Sequence, residues 1–368
     1  MLARIGRDVL LKALSHVHGV APAKPSVPVL GRVRLDADIH QGAVAMTATD
    51  LDRAALARAD GEIKTGGVTT APAHRLRDLV RRIPSGTEIV LRNGDGRLVI
   101  EAGGFRAEIP AMPPEEFPGI GGIEPEVRFE IAGRGLARLI AKAWHAIPSD
   151  GARHYLNGLF LAARDGALVA AATDGHRLVE LRTDPPDGAE GLEGIIVPRA
   201  AAADLKRLAA DAGDEPVFVM TDGRRLSASN RDGLGLVTRL VDGRFPDYER
   251  VIPKEPRPAA RIPRGALLAA VERAAVFAGG GCVRLDFGPD GVTVSVEDAE
   301  GTAGERIGCG FEGEPTRIGF NPRYLREMLG VMEGGHVEIR PGTPMAPVLA
   351  FDPEGDAGLR YVIMPMRV

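Results

Sequence analysis

The sequence is poor in aromatic residues, cysteine and long apolar runs, and each shortage excludes a class of protein. Aromatic residues make up 4% of the chain and include one tryptophan, Trp144, which argues against a nucleic-acid surface built on stacked rings. Cys282 and Cys309 have no cysteine or histidine nearby at metal-binding spacing, so we expect neither a disulfide framework nor a zinc site. No apolar run approaches the roughly 20 residues that span a bilayer, and the charged N-terminal segment does not resemble a signal peptide. We therefore expect a cytoplasmic protein without metal or cofactor.

A threefold internal repeat accounts for the length of 368 residues. The segment ATDLDR at 48–53 returns as ATDGHR at 172–177, and a further step of 124 residues leads to VEDAEG at 296–301. Asp50, Asp174 and Asp298 then fall in register, and we expect each of them to fix a turn. In each copy, apolar periodicity predicts a strand and a helix, then hairpin strands, then a second strand and helix.

The repeat predicts an α+β fold of three similar domains, each with two helices packed on antiparallel sheets. We expect the domains to span residues 1–121, 122–254 and 255–368. The predicted helices span residues 7–17, 74–82, 134–147, 199–210, 264–278 and 322–332. The second helix of each copy carries an acidic residue at the same point, which is Asp78, Asp204 or Glu327.

The predicted helices are short of negative charge. They carry a formal net charge of +11, whereas the whole chain carries −4 and the remainder therefore −15. Arg134, Arg138 and Lys142 recur every four residues with no acidic residue on that helix. Solvated helix faces also carry such residues, but usually with balancing glutamates. The imbalance favours sequence-neutral, salt-sensitive contact with phosphates.

Two other classes of function fit the chain less well. Asp174 and His176 stand two apart, so on a strand they would share a face and could act as an acid–base pair. However, the sequence offers no nucleophile elbow, metal cluster or phosphate-binding loop to complete an enzyme site. A transcription factor would need a recognition helix with base-reading side chains, and none is evident.

Four stretches carry a family resemblance over essentially the whole chain. They are RHYLNGLFL at 153–161, ATDGHRL at 172–178, LVDGRFPDYERVIP at 240–253 and YVIMPMRV at 361–368. In this order they resemble the β sliding clamp of bacterial DNA polymerase III. The resemblance implies a head-to-tail homodimeric ring around duplex DNA, lined by helices. It also implies a non-catalytic processivity factor that tethers the replicative polymerase, the clamp loader and repair or translesion polymerases by their peptides. A divergent second-copy clamp is the alternative.

The resemblance also implies three sets of site residues. The partner-peptide pocket would comprise Leu156, Thr173, Gly175, His176, Arg177, Leu178, Pro246, Arg250, Val251, Val362, Ile363, Met364, Pro365, Met366, Arg367 and Val368. With Arg138 and Lys142 from the charge pattern, the DNA contacts would be Lys24, Arg75, Arg138, Lys142, Arg153, Tyr155 and Arg199. The dimer interface would include Phe105, Ala107, Val276 and Phe277. The chain departs from the family pattern at His154, Ala107, Ala200 and the glycines at 279–281.

Overall fold

The computed structural model describes residues 1–149, 153–279, 281–298 and 301–367, with only the backbone of Asp298. The described residues contain six α-helices. They are α1 (Arg7–Val17), α2 (Ala73–Arg82), α3 (Gly133–Ala143), α4 (Arg199–Ala212), α5 (Arg264–Ala275) and α6 (Pro322–Val331). None of these helices is long and apolar enough to cross a membrane. No group of three or more potential metal ligands occurs in the same described residues.

The strands follow the predicted repeat. They are β1 (Leu2–Gly6), β2 (Arg32–Asp38), β3 (Ala43–Thr49), β4 (Arg53–Asp60), β5 (Glu62–Thr65), β6 (Gly67–Pro72), β7 (Glu88–Gly94), β8 (Arg97–Ala102), β9 (Phe105–Pro110), β10 (Val127–Ala132), β11 (Gly158–Arg164), β12 (Ala167–Thr173), β13 (Arg177–Thr183), β14 (Ile195–Pro198), β15 (Pro216–Thr221), β16 (Arg225–Asn230), β17 (Gly235–Arg239), β18 (Ala260–Pro263), β19 (Val283–Gly288), β20 (Gly291–Asp298), β21 (Gly301–Ile307), β22 (Thr316–Phe320), β23 (His336–Arg340), β24 (Val348–Phe351) and β25 (Leu359–Ile363).

The chain forms two compact units, each with one large and one small antiparallel sheet. The first unit comprises residues 1–137, 186–188 and 200–240, and the second comprises residues 138–185, 189–199 and 241–368. The sheets of the first unit have the orders β5-β1-β7-β8-β9 and β10-β15-β16-β17-β4-β3-β2-β6. Those of the second are β14-β11-β12-β13-β25-β24-β23-β18 and β21-β20-β19-β22.

The two eight-stranded sheets explain why the compact units do not follow the repeat boundaries. In the first unit β17 of the second repeat pairs with β4 of the first, with Leu236 opposite Ala55. In the second unit β25 of the third repeat pairs with β13 of the second, with Tyr361 opposite Val179. Each half of the middle repeat is therefore hydrogen-bonded into a sheet shared with another repeat.

Each helix directly follows a strand, as the sequence predicts, and its apolar stripe is buried. In α1 the stripe consists of Leu10, Ala13, Leu14 and Val17. The helix bounds differ from the prediction chiefly at two C-termini: α3 gives way to a 3₁₀ turn at Trp144–Ala146, and α5 ends at Ala275. Because α5 ends there, Val276 and the residue after it lie beyond the helix.

The repeated aspartate fixes the same turn in two copies, as predicted. Asp174 Oδ1 accepts the backbone N–H groups of His176 and Arg177 at 2.9 and 3.0 Å. Asp50 accepts those of Asp52 and Arg53 at 3.1 and 2.9 Å.

The predicted turn role of Asp298 stays a prediction, because its side chain lies outside the described residues; its backbone ends β20 and pairs with Gly301 of β21. The same turn also occurs at residues 221–225, in the second half of the middle repeat. There Asp222 accepts the N–H groups of Arg224 and Arg225.

The last arginine of the turn forms an ion pair with the second helix of the following repeat. Arg53 Nη1 lies 2.5 Å from Asp204 on α4, whose side chain is 6% exposed. Arg177, 5% exposed, pairs in the same way with Glu327 on α6. The aligned acidic residues of the sequence thus acquire a role: two of them accept a buried guanidinium. We call this contact the turn–helix ion pair.

The Asp204→Ala variant is expected to unfold more easily than the parent protein. Removing the carboxylate leaves the guanidinium of Arg53, 17% exposed, with Asp50 as its remaining carboxylate partner, which costs up to about 3 kcal/mol. Thermal and urea unfolding followed by circular dichroism measure the loss. Asp211→Ala, an exposed aspartate on the same helix, is the matched control and should leave the midpoint within about 0.5 kcal/mol. Equal unfolding of the two variants would contradict a structural role for the ion pair.

Candidate functional site

The predicted peptide pocket has two of its walls in direct contact. β25 ends beside the turn at 173–177, and the backbone N–H of Met364 donates to the carbonyl of His176 at 2.8 Å. Two residues later, the N–H of Met366 donates to the carbonyl of Gly319 at 2.8 Å. The C-terminal segment is therefore held at both of its methionines. Val368 lies outside the described residues.

The buried side chain of Arg177 links the turn at 173–177 to neighbouring segments. Arg177 Nε donates to Asp174 at 3.0 Å, and its guanidinium also reaches Glu327 and the carbonyl of His145. The guanidinium carbon lies 4.3 Å from the ring centroid of Tyr324, which also stacks with the ring of His176. Tyr324 and His145 have no predicted role in the sequence, because only the fold brings them to the turn.

The charges around Arg177 fix the protonation of their neighbours. Burial alone would raise the pKa of Glu327, but hydrogen bonds from Arg177 and Arg323 outweigh it, and the pKa lies below its usual value. Burial, and after it the charge of Arg177, lowers the pKa of His145 to about 4. At neutral pH the wall therefore contains a carboxylate, a guanidinium and an uncharged imidazole.

The third predicted wall, at 246–251, belongs to the same apolar cluster as the other two. Tyr248 is buried with Phe160, Leu178 and Val362, and Phe245 packs against this cluster. Its neighbours Pro246, Arg250 and Val251 are exposed.

The predicted pocket residues thus separate into a buried floor and an exposed rim. The floor comprises Leu156, Arg177, Leu178, Val362 and Ile363, and the rim comprises Gly175, His176, Pro246, Arg250, Val251, Met364 and Arg367, with Thr173, Pro365 and Met366 half-buried. We call this set the partner groove. Val251 and Met364, two apolar residues of this rim, are 49% and 37% exposed. Such a surface can bind the apolar side chains of a peptide.

In the structure, the side chains of Asp174 and His176 make separate contacts and do not act as an acid–base pair. The carboxylate of Asp174 accepts two backbone N–H groups and the side chain of Arg177. The imidazole of His176 instead faces the ring of Tyr324. Asp174 therefore fixes a turn and does not orient a catalytic histidine.

The predicted DNA contacts differ in how free their charges are. Lys24 and Arg75 are exposed, and in the described part of the chain neither takes part in an ion pair. Arg138 is 44% exposed but lies 2.6 Å from Asp356 and 3.4 Å from Glu333. Arg153 is exposed and donates to the carbonyl of Asp174 at 2.6 Å, and Tyr155 packs edge-on against His154.

Two of the predicted DNA contacts make close contacts within the protein. Lys142 is 5% exposed, and its ammonium lies 2.8 Å from Glu333 and 3.0 Å from Asp356. Arg199 donates to the carbonyl of Ile147, which follows the end of α3, and stacks on Trp144.

The contact made by Arg199 recurs at the starts of two other helices. Arg7 donates to the carbonyls of Val80 and Arg81 at the end of α2, and Arg264 donates to that of Leu329 near the end of α6. An arginine at the start of one helix therefore satisfies the open carbonyls of another, which is favourable at a helix C-terminus.

The predicted interface residues include Val276, the most exposed large apolar side chain among the described residues. Val276 and Phe277 are 79% and 41% exposed, and they line a cleft of about 350 Å³ beside β21. Phe105, at the start of the edge strand β9, is 43% exposed, and Ala107 on the same strand is half-buried. Gly280, within the glycine segment at 279–281, lies outside the described residues.

Comparison with known proteins places the chain in a family. The N-terminal, central and C-terminal domains of the DNA polymerase III beta subunit match residues 1–121, 130–247 and 249–367. The chain belongs to the DNA polymerase III beta subunit family. This confirms the predicted fold class of three clamp domains with helices on antiparallel sheets, and the family is one of non-catalytic processivity factors.

Individual relatives of this family match from end to end. The chain is 36% identical to the beta sliding clamp of Caulobacter vibrioides over 377 residues, covering 100% of both chains. It is 30% identical to that of Escherichia coli K12, covering 99% of each. Among solved structures, the Caulobacter crescentus pol III beta superposes with a TM-score of 0.94 at 36% identity over 100% of both chains.

The Lys142→Ala variant is expected to lose stability and not DNA affinity. Removal of the Lys142 ammonium leaves the carboxylate of Asp356, 7% exposed, with Arg138 as its remaining cationic partner, at a cost of up to about 3 kcal/mol. Urea unfolding measures this loss, and fluorescence anisotropy with a labelled duplex measures affinity. Arg75→Ala is the comparison, because its exposed side chain should affect affinity and leave the unfolding midpoint unchanged. Weaker DNA binding with unaltered stability for Lys142→Ala would restore it as a phosphate contact.

Proposed function

We propose that the chain is a sliding clamp that closes as a head-to-tail homodimeric ring around duplex DNA and tethers a DNA polymerase. The observation that carries this proposal is the family match over the full length of the chain. It is supported by two edge strands, β9 and β21, at positions where the other repeats pair with each other. The proposal retains the domains 1–121, 122–254 and 255–368, and places the protein with the nucleoid in the cytoplasm.

The open sheet edges support the homodimer. β17 pairs with β4 and β25 pairs with β13, so the last strand of one repeat joins the fourth strand of the repeat before it. The last strand of the first repeat, β9, and the strand of the third repeat that corresponds to β4 and β13, β21, are each at the edge of a sheet. Both can therefore pair with a strand of another protomer. Pairing of β9 of one protomer with β21 of its partner repeats the same join. It also brings Phe105 and Ala107 towards the apolar Val276 and Phe277.

The charge distribution supports sequence-neutral DNA contact. Lys24, Arg75, Arg138, Arg153 and Tyr155 remain as proposed contacts, whereas Lys142 and Arg199 serve the fold. With few free cations and a chain charge of −4, affinity alone would hold the protein on DNA only weakly. A closed ring removes the need for affinity, because the linkage is topological.

The partner groove supports tethering. Its exposed methionine and valine can repack around different apolar side chains, which suits competition among several partners. We propose that clamp-binding peptides of the replicative polymerase, the clamp loader and repair or translesion polymerases bind there.

Release from DNA ends tests the ring. Protein placed on nicked circular DNA by a clamp loader should stay bound until the circle is linearised and then run off, because only topology holds it. Gel filtration with radiolabelled protein measures the bound fraction. Linear DNA whose ends are blocked by biotin–streptavidin is the control and should retain the protein. Retention on linear DNA with open ends would contradict the ring.

The groove is tested by placing a charge on its rim. Met364→Asp with Val251→Asp should weaken binding of a fluorescein-labelled Gln-Leu-Ala-Leu-Phe peptide at least about tenfold, because a carboxylate opposes apolar burial. Met345→Asp, at another exposed methionine, is the matched control and should bind as the parent does. Fluorescence anisotropy gives both affinities. Unchanged affinity of the double variant would remove these residues from the groove.

A further inference from the structure

A second cleft lies at the turn of the first repeat, within the first unit. It has a volume of about 510 Å³ and is lined by residues 49–54, by residues 118–121 and by the side chains of Arg225, Val237 and Arg239. This volume falls in the range of about 300–1,000 Å³ typical of ligand sites. We call it the junction cleft.

The junction cleft and the partner groove have the same backbone frame. In the partner groove the residue after β25, Met364, donates its N–H to the carbonyl of His176 at 2.8 Å. In the junction cleft the last residue of β17, Arg239, donates its N–H to the carbonyl of Asp52, also at 2.8 Å. Each turn also places its arginine in the turn–helix ion pair.

The side chains on this shared frame differ where they are exposed. Asp52 stands in the place of His176, and Arg239 in the place of Met364. The rim that is apolar in one site is therefore charged in the other. The same frame thus presents surfaces for two different kinds of peptide.

One cation of the junction cleft is available to a ligand. Arg53 is committed to Asp50 and Asp204, and Arg225 is committed to Asp222 and the carbonyl of Gly121. Arg239 meets only the carboxylate of Asp52, at 3.9 Å, and the two side chains are 70% and 83% exposed. Such a surface pair is worth little. Arg239 is therefore the cation of the cleft that can pair with a carboxylate of a ligand.

Leu51, at the rim of the junction cleft, has a backbone conformation that leucine disfavours. Leu51 has a φ of 80° and is 54% exposed, whereas the sister turns have Gly175 and Gly223 at the same position, with φ of 87° and 73°. A branched residue is disfavoured there, and glycine is not. Neither burial nor backbone geometry explains the leucine, but contact with an apolar ligand group would.

We infer that the junction cleft binds an extended segment of a partner protein in which an acidic residue adjoins an aliphatic one. The carboxylate pairs with Arg239, and the aliphatic side chain packs between Leu51 and Ile120. The inference extends the proposed partner groove, since the shared frame is part of the reasoning. The test therefore reads the two sites separately.

The test uses the full-length protein with ¹³C-labelled methyl groups of leucine, isoleucine and methionine. The probe is acetyl-Gly-Leu-Asp-Val-Gly-amide, and the matched probe carries lysine in place of aspartate. NMR titration should move the methyl signals of Leu51 and Ile120 saturably with the aspartate peptide and not with the lysine peptide. The methyl signal of Met364 reports binding at the partner groove. The signals of Leu51 and Ile120 therefore test the junction cleft even if no peptide binds at the partner groove.

Two variants sharpen the test. Arg239→Ala should weaken the aspartate peptide about five- to tenfold, as expected for loss of a charge-assisted contact, while Arg231→Ala, an exposed arginine paired with Glu215, should not. Leu51→Gly should lose the peptide without lowering the melting temperature, because the turn then has the residue of its sister turns. Equal response to both peptides, shifts at Met364 alone, or unchanged affinity of Arg239→Ala would each overturn the inference.

Discussion

The turn–helix ion pair is the contact on which the described site depends. A guanidinium that is 5% exposed must have its donors satisfied, and Arg177 meets this need with a turn carboxylate, a helix carboxylate and a backbone carbonyl. These acceptors come from three different segments of the second unit. The arginine is satisfied only when the turn, α6 and the end of α3 are all in place, so it fixes the position of the turn that forms one wall of the partner groove. Arg53 does the same for the junction cleft with Asp50 and Asp204.

Within the repeated turn, the aspartate and arginine are constrained, whereas the two residues between them are free to differ. The aspartate and arginine of the turn are largely buried and make the same contacts in both copies, so replacing either would leave a buried charge unpaired. The two residues between them are exposed and carry no such constraint. They are Gly175 and His176 beside an apolar tail in one copy, and Leu51 and Asp52 beside an arginine in the other. A single backbone frame can therefore present two chemically different surfaces.

The helices use part of their positive charge inside the protein. Arg7, Arg199 and Arg264 satisfy carbonyls near the ends of other helices, and Lys142 is buried between two carboxylates. These residues are indistinguishable in the sequence from cations that face solvent. The helix charge of +11 therefore overstates what remains for phosphates. The exposed Lys24 and Arg75 are the better candidates, because no structural contact claims them among the described residues.

The sequence by itself determined the local elements and the repeat. Apolar periodicity located all six helices to within a few residues, and the recurring aspartate of the repeat predicted the turns at Asp50 and Asp174, because a helix stripe and a turn both depend on neighbours close in the chain. The tertiary structure alone decided which charges are free. It paired Lys142 with Glu333 and Asp356, roughly 190 to 210 residues away, placed the ring of Tyr324 against that of His176, and formed a further copy of the turn at Asp222. Such pairings follow from where sheets join, and no spacing along one chain segment encodes the partner's position.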